Sequence, residues 1–471
     1  MSLVDGGSAQ AGDKAAGAQA AVPACQCECE RDRHLFCPGP KRILALDGGG
    51  VRGAITVAFL EQIETVLAER LGEPVQLADW FDLIGGTSTG AVIAGALALG
   101  YTTADIRNFY LELAPKVFKL SVWRLLRLKP KFDAEALRRE IEYVVGKRTL
   151  DTADLNTGFC LISKRLDTGS PWIIANNPRN MYWDTKTGEH GHIGNRYYTL
   201  ANLVRASTAA PFYFAPETLA IVEGENKGLF VDGGVTPHNN PSVMLFLMAI
   251  LEAYKIRWTA NPENLTIVSI GTGTHRGRVV PEELGMAWML QMTYHALMSL
   301  MSDIQTFALT QMQYFGECLT PWWINSELGA LEKERPPNGK MFRFMRYDVQ
   351  LELPWIEKEL GADAEAVLGR KLTQTDVTRW RSMDDPTIIE EIYKLAQIAA
   401  KKQVKAEHWL GDVSSWCNGR RPSAQTRTML PREPEPLPAG YVIWQAIAKR
   451  ASYVRSWLVR RVPGPPSSPK E

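Results

Sequence analysis

The spacing of apolar residues alternates between two periods along the first 270 residues. Short apolar runs such as 42–46 are each followed by a longer stretch with helical spacing. In 54–72, Ile55, Phe59 and Ile63 fall on one helical face. Buried strands that alternate with helices indicate an α/β fold with a mostly parallel central sheet. Further strands are predicted at 81–86, 159–165, 172–175, 229–232 and 265–270, and long helices at 286–314.

Composition divides the chain into five segments. Small residues dominate the first segment and indicate disorder, and proline dominates the fourth. The predicted segments are a disordered, cysteine-containing leader at 1–40, the main α/β domain at 41–330, a mixed and largely helical extension at 331–420, a linker at 421–440, and a basic amphipathic helix with its tail at 441–471.

Four of the seven cysteines cluster in the leader, around His34. They are Cys25, Cys27, Cys29 and Cys37. Their C-x-C-x-C spacing lacks the two-residue gaps typical of zinc knuckles. We therefore predict free thiols and no metal site, with a metal or a redox pair as the alternative. No cofactor is predicted.

Charge and hydropathy exclude several classes of protein. The chain has 53 basic and 52 acidic residues, so no nucleic-acid partner is expected. It contains no run of about 18 apolar residues, so no membrane-spanning helix is predicted. The first residues lack the basic start and apolar core of a secretory signal. A cytoplasmic location is therefore expected.

Ser88 carries the strongest chemical motif. It lies in Gly86-x-Ser88-x-Gly90, directly after a predicted strand and at the start of a helix. This is the context of a nucleophile elbow, a turn so tight that flanking side chains would clash. The hydroxyl is then exposed at the carboxyl end of the sheet. The alternative is that Ser88 only caps its helix.

Asp232 is the candidate base for such a nucleophile. It ends a predicted strand and precedes Gly233 and Gly234. Ligands of open α/β sheets bind at the carboxyl ends of strands. Asp232 could instead be a turn residue, since Asp-Gly is a common turn pair. The alternative bases are His238, six residues further on, and His275.

A glycine loop at 47–53 follows the first predicted strand. Its G-x-G-x-x-G pattern formally matches a dinucleotide-binding fingerprint, but the acidic residue expected about 20 positions later is missing. Backbone N–H groups in such a loop can also stabilise the oxyanion that forms when a serine attacks an ester. The pattern alone leaves both roles open.

The three motifs DGGGVRG, GTSTG and DGG, in this order after successive strands, resemble the signatures of the patatin-like phospholipase family. The segments 204–216 and 265–273 are also similar to that family, and the resemblance covers roughly residues 41–280. It implies a three-layer α/β/α hydrolase that cleaves acyl esters of lipids with a Ser–Asp dyad and without a metal.

By position, the resemblance makes Ser88 the nucleophile and Asp232 the base. The oxyanion hole is formed or supported by Gly48, Gly49, Gly50 and Arg52, and the remaining motif glycines are Gly53, Gly86, Gly90, Gly233 and Gly234. Arg52 could instead bind a lipid phosphate or brace the loop. The expected activity is that of a phospholipase A or lysophospholipase that forms an acyl-enzyme. The alternatives are a Ser–His–Asp esterase and a regulated effector that is gated by its extensions.

Two basic segments are candidates for peripheral contact with a membrane that holds the lipid substrate. Segment 116–132 has six basic residues among large apolar ones and no acidic residue, and 441–462 reads as a basic amphipathic helix. The alternatives are an active-site lid for the first segment and a helix packed on the main domain for the second.

Overall fold

A nine-stranded sheet forms the centre of the described part of the chain. This computed structural model describes residues 27, 29–118, 130–185, 191–222, 227–275 and 288–409. The strands are β1 Lys41–Leu46, β2 Leu83–Thr87, β3 Gly158–Arg165, β4 Pro171–Ala175, β5 Glu217–Leu219, β6 Gly228–Asp232, β7 Leu265–Ile270, β8 Gly316–Cys318 and β9 Phe342–Tyr347. The helices are α1 Glu30–Phe36, α2 Gly53–Leu71, α3 Leu77–Trp80, α4 Thr89–Ala98, α5 Thr103–Val117, α6 Ala134–Val145, α7 Leu200–Ser207, α8 Ser242–Ile250, α9 Trp288–Phe315, α10 Leu353–Glu359, α11 Gly361–Leu368, α12 Gln374–Trp380 and α13 Ile389–Gln403.

Helices cover both faces of the sheet. Every residue of β1 is buried, as expected for a strand with a core on either side. Leu44 and Leu46 belong to one core with helices α2, α4 and α13. Ile43 and Ala45 belong to the other core, with α8 and Leu35 of α1. The fold is therefore the predicted three-layer α/β/α arrangement.

The strand order is β5-β6-β3-β2-β1-β7-β9-β8, and β4 pairs with β3. Strands β3, β2, β1, β7, β9 and β8 run parallel. Strands β4 and β6 run antiparallel to β3, and β5 antiparallel to β6. The loops that follow β1, β2, β7 and β9 therefore meet at one edge of the sheet.

The sheet includes strands from both sides of the domain boundary that was predicted after residue 330. Strand β9 of the extension pairs in parallel with β7, from Thr266↔Arg343 to Ile270↔Tyr347. Helix α13 packs against α2 in the same core as β1. Residues 342–409 thus complete the main domain, and all described residues lie within one compact unit, Met1–Asn418.

Part of the predicted disordered leader is ordered. Residues 30–36 form α1, and Leu35 packs in the core with only 1% of its surface exposed. His34 Nδ1 lies 3.0 Å from Asp82 Oδ1. Cys37 is disulfide-bonded, and its Sγ lies 3.4 Å from Cys27 Sγ, whereas Cys29 has a free thiol. The expectation of disorder is therefore wrong for 30–36, and the expectation of a free thiol is wrong for Cys37 but correct for Cys29.

Several sequence predictions lie outside the described residues. These are Cys25, most of segment 116–132, the linker at 421–440 and the basic helix at 441–471. Within the part of the chain that the structure describes, no helix is both long and apolar enough to cross a membrane.

Candidate active site

Ser88 lies on a sharp turn between β2 and α4. Its backbone has φ 56° and ψ −125°, a strained conformation for a residue with a side chain. A Cβ on Gly86 would lie 2.1 Å from the carbonyl oxygen of Gly90, and one on Gly90 would lie 2.3 Å from that of Leu46. The two motif glycines are therefore required by close backbone approach, as the sequence predicted.

The Ser88 side chain does not cap its helix. Its Oγ instead donates a hydrogen bond of 2.6 Å to Asp232 Oδ2. The Ser88 N–H donates to Ser207 Oγ at 3.0 Å, and that hydroxyl donates to the carbonyl of Ile162 at 2.6 Å. The strained turn is thus held by side chains on both sides of the nucleophile candidate.

The edge of β3 explains why Ser88 and Asp232 meet. Thr87 at the end of β2 pairs with Ile162, and Asp232 at the end of β6 pairs with Ser163, the next residue of β3. Strand β4 occupies the opposite edge of β3. Strands β2 and β6 therefore pair with the same edge of β3, one after the other and in opposite directions. The carboxyl ends of β2 and β6 consequently lie side by side.

The Asp232 carboxylate is buried, with 5% of its surface exposed. Its second oxygen, Oδ1, accepts a hydrogen bond of 2.7 Å from Gly234 N–H. Burial raises the pKa of Asp232 to about 6, although the hydrogen bonds from Ser88 and Gly234 oppose this shift. Asp232 is therefore both the turn residue and the partner of Ser88, and its carboxyl is more basic than an ordinary aspartate.

The glycine loop runs from β1 into α2 and is held on both sides. Gly48 N–H donates to the carbonyl of Asn239 at 3.1 Å, and Gly48 O accepts from Thr272 Oγ1 at 2.9 Å. Val51 N–H donates to Met383 O at 2.9 Å. Gly50 has φ +59°, and a Cβ there would lie 2.1 Å from Met383 O.

These bonds narrow the choice of oxyanion donors. The N–H of Gly48 is already used, and that of Arg52 donates to Gly49 O at 3.2 Å. Among the described residues, the N–H groups of Gly49 and Gly50 have no protein acceptor. Of the four residues predicted for the oxyanion hole, Gly49 and Gly50 therefore have backbone donors available, whereas Gly48 braces the loop.

Arg52 has side-chain donors that are available to a ligand, whereas its backbone N–H is already bonded. It is 7% exposed, and within the described structure its Nε and Nη1 have no hydrogen-bond partner. Burial lowers its pKa to about 10. Arg52 lines the same cavity as Ser88, so this cavity contains a buried cation whose Nε and Nη1 have no partner among the described residues.

The two rival histidines are not joined to the dyad. In the part of the chain that the structure describes, no histidine side chain bonds to Ser88 or Asp232. His238 contributes backbone groups to its turn and does not line the cavity. His275 lines the cavity, but burial and the nearby Arg52 and Arg381 lower its pKa to about 4.

A cavity of about 990 Å³ opens above Ser88 and Asp232. One wall is apolar and is formed by side chains of α4, α5 and α6, among them Ala96, Phe109 and Ile141. Phe212 and Trp323 also line it and are 74% and 60% exposed. Such a shape suits a ligand with a long apolar part and a small polar centre.

Four residues that shape this site have no sequence signal of their own. Asn239, Thr272 and Met383 hold the glycine loop, and Ser207 holds Ser88. Each comes from a part of the chain far from its partner, so only the fold brings them together. The segments 204–216 and 265–273 drew attention to Ser207 and Thr272 only through the family resemblance.

The described residues form a three-layer α/β/α fold with Ser88 and Asp232 hydrogen-bonded beneath one cavity. Residues 44–246 match the family model of patatin-like phospholipases. The similarity to that family thus spans 203 of the 471 residues of the chain. The motifs that resembled this family in the sequence all lie around the cavity above Ser88.

Named relatives agree with this family. A cGAMP-activated phospholipase of Escherichia coli (strain TW11681) is 30% identical over 237 residues, which cover 49% of this chain and 62% of the relative. Patatin-like protein 4 of Arabidopsis thaliana is 30% identical over 256 residues, covering 49% and 59%. The chain thus spans about three fifths of the length of these relatives. Among solved structures, human GIVD cytosolic phospholipase A2 is similar, with a TM-score of 0.37, 10% identity and coverage of 81% of this chain and 60% of that one.

Proposed function

We propose that the protein is a lipid acyl hydrolase of the phospholipase A or lysophospholipase type. The observation that carries this proposal is the 2.6 Å hydrogen bond between Ser88 Oγ and Asp232 Oδ2 beneath an apolar cavity. The match of residues 44–246 to the patatin-like phospholipase model supports a lipid as the substrate. The apolar wall between α4, α5 and α6 would accept the acyl chain.

In the proposed reaction, Ser88 Oγ attacks the ester carbonyl while Asp232 takes the hydroxyl proton. The carbonyl oxygen becomes an oxyanion, which the free N–H groups of Gly49 and Gly50 would stabilise. Each such donor is worth about 10²–10³ in rate. Asp232 then gives its proton to the leaving alcohol, and an acyl-enzyme remains on Ser88. Water releases the fatty acid by the same steps in reverse order.

We further propose that the free guanidinium of Arg52 meets a phosphate of the substrate. Its Nε and Nη1 are the donors left without protein partners in the described residues. A charge-assisted bond to phosphate would satisfy them.

We propose peripheral membrane contact at the opening of the cavity. The exposed rings of Phe212 and Trp323 lie there, and aromatic side chains suit the membrane–water interface. Lys131, the last basic residue of segment 116–132, donates its N–H to Phe212 O at 3.0 Å. Segment 116–132 is therefore a candidate for this contact, whereas a membrane contact of 441–462 stays a prediction from the sequence.

A regulated form of the activity stays a proposal. The Escherichia coli relative is named a cGAMP-activated phospholipase, which supports control by a signal. In this chain, however, Met383 of the extension braces the glycine loop through Val51. We therefore propose that residues 342–409 support the activity and do not silence it.

A lipid panel tests the proposed function. Vesicles containing single phospholipids or lysophospholipids are expected to release free fatty acid, identified by mass spectrometry. A fluorophosphonate probe, which reacts with activated serines, is expected to label Ser88. Absence of both fatty acid and label, in protein shown to be folded, would contradict the proposal.

The activity is expected to depend on the ionisation of Asp232. The carboxyl must be ionised to take the Ser88 proton, and its pKa is raised to about 6. With a soluble acyl ester, kcat/KM should therefore rise as the pH increases through about 6 and fall about tenfold per unit below it. Burial also raises the pKa of Asp47 to about 6. The residual activity of Asp232→Asn should lose the pH dependence if Asp232 causes it, and a flat wild-type profile between pH 5 and 7 contradicts this assignment.

A further inference from the structure

Tyr110 joins the two halves of the candidate site. It lies on α5, and its hydroxyl donates a hydrogen bond to the carbonyl of Gly50. The same oxygen lies 3.3 Å from Thr89 Oγ1. Thr89 directly follows Ser88 and begins α4. One phenol therefore contacts both the glycine loop and the residue next to the nucleophile candidate.

The bond to Gly50 completes a clamp on one peptide plane. Tyr110 Oη holds the carbonyl of the Gly50–Val51 peptide, and Met383 O holds its N–H at 2.9 Å. A peptide unit is planar, so fixing both ends fixes its orientation. Gly50 has φ +59°, a conformation that a glycine can leave easily. The free N–H of Gly50 lies in the preceding peptide plane, so the clamp restricts its orientation from the C-terminal side of the Gly50 Cα.

The surroundings of Tyr110 keep its hydroxyl a donor. Burial raises the pKa of the Tyr110 phenol far above neutrality. Since the phenol proton points to Gly50 O, the hydroxyl of Thr89 can donate to the phenol oxygen. A chain of two hydrogen bonds then runs from Thr89 through Tyr110 to Gly50. This chain fixes the distance between the glycine loop and the Ser88 turn.

We propose that Tyr110 is a positioning residue that holds the Gly50 N–H in the orientation needed to stabilise the oxyanion. The inference rests on the proposed hydrolase function and adds a residue of α5 to it. Tyr110 acts through Gly50 and takes no proton from the substrate. Its contribution should therefore appear in the transition state and in stable mimics of it, and not in ground-state binding.

A Tyr110→Phe variant tests the proposal, because it removes one oxygen and keeps the ring. With a soluble acyl ester, kcat should fall about tenfold while KM stays within about twofold. A long-chain alkyl trifluoromethyl ketone adds to Ser88 Oγ as a tetrahedral oxyanion, with the serine proton passing to Asp232. Its inhibition constant should rise by the same factor as kcat falls. A smaller fraction of folded enzyme would lower the rate but leave this constant unchanged.

Tyr198→Phe is the matched control. The Tyr198 hydroxyl is also buried and donates to a backbone carbonyl, that of Ala220, at 2.8 Å, but Tyr198 does not line the cavity. This variant should keep the wild-type kcat and inhibition constant. An unchanged kcat and inhibition constant in Tyr110→Phe would overturn the proposal, and so would a rise in KM alone.

The failure of this inference can be told apart from failure of the proposed function. If the wild type neither cleaves esters nor reacts with a fluorophosphonate at Ser88, the hydrolase function fails. If the wild type reacts and Tyr110→Phe reacts at the same rate, only the role of Tyr110 fails.

Discussion

Ser88→Ala and Asp232→Asn are each expected to lower kcat for ester hydrolysis by about 10³-fold or more. Ser88→Ala removes the atom that would form the acyl-enzyme. Asp232→Asn keeps the shape of the side chain but removes the group that would accept the serine proton. The measurement is the initial rate on a soluble acyl ester at pH 8, where the Asp232 carboxyl is ionised.

The double variant is expected to be no slower than Ser88→Ala. Residues that act as one unit lose their joint contribution when either is removed. The 2.6 Å hydrogen bond between the two side chains makes them such a unit. Additive losses in the double variant would instead show that the two residues act independently, and near-wild-type activity in Asp232→Asn would exclude the dyad.

Asp232→Asn is also expected to make the protein more stable at pH 8. The folded state raises the pKa of Asp232 from 3.8 to about 6, so the buried carboxylate destabilises the fold once it is ionised. This penalty develops between pH 3.8 and 6 and is complete above pH 6, where it reaches about 3 kcal/mol. Asparagine carries no charge and avoids it. The gain in unfolding midpoint should therefore be present at pH 8 and absent at pH 4.

Asp363→Asn is the matched control for these measurements. Asp363 lies on α11, where its exposed carboxylate pairs with Lys402 at 2.7 Å. Both the activity and the unfolding midpoint of this variant should equal those of the wild type. A loss of activity in Asp363→Asn would show that the assay responds to changes outside the site.

Local motifs explain what could be predicted from the sequence. The turn at Ser88 depends on close backbone contacts of Gly86 and Gly90, so the glycines that permit it lie beside it in the sequence. Strand β6 likewise ends in Asp232 and the glycines that turn the chain. Such signals predicted the sheet and placed both side chains at strand ends. Their meeting also depends on β6 running antiparallel to β3, which these local motifs do not indicate.

Contacts between distant segments could not be predicted in this way. From the sequence, Gly48 and Gly49 are equally good candidates for an oxyanion donor. In the structure, however, the N–H of Gly48 donates to Asn239 O. Met383 reaches Val51 from more than 300 residues away. Nothing in the pattern around Met383 indicates a backbone carbonyl that shapes the glycine loop. Only the packing of the extension against α2 places it there.

Helix α1 could not be predicted from the average composition of the leader. Across 1–40, alanine, glycine and small polar residues dominate and indicate disorder. The seven residues of α1 instead carry charge on one side and bury Leu35 against the sheet. A seven-residue helix has too few residues for periodicity to reveal it. Its stability comes from tertiary contacts such as that of His34 with Asp82.

Arg346→Met is expected to lower the free energy of unfolding by about 3–5 kcal/mol. Arg346 is 2% exposed and lies between two buried carboxylates. Its guanidinium contacts Asp47 at 3.1 and 2.7 Å and Asp348 at 2.7 Å. Methionine would leave both carboxylates buried without their cation. Burial already raises the pKa of Asp47 to about 6, and without its cation this carboxyl must take up a proton to stay buried uncharged. The loss should therefore be larger at pH 8 than at pH 5, measured by urea unfolding.

The comparison with an exposed ion pair makes this prediction specific. Arg257 contacts Glu252 at 2.7 Å, the same separation, but both side chains are more than two thirds exposed. Arg257→Met should therefore cost less than about 1 kcal/mol. Asp47 opens the glycine loop and Arg346 lies on β9, so the buried ion pair joins the loop to the segment that the sequence had separated as an extension. Equal, small losses in the two variants would mean that β9 contributes little to holding the loop. A large loss confined to Arg346→Met would show that residues 342–347 stabilise the main domain as well as completing its sheet.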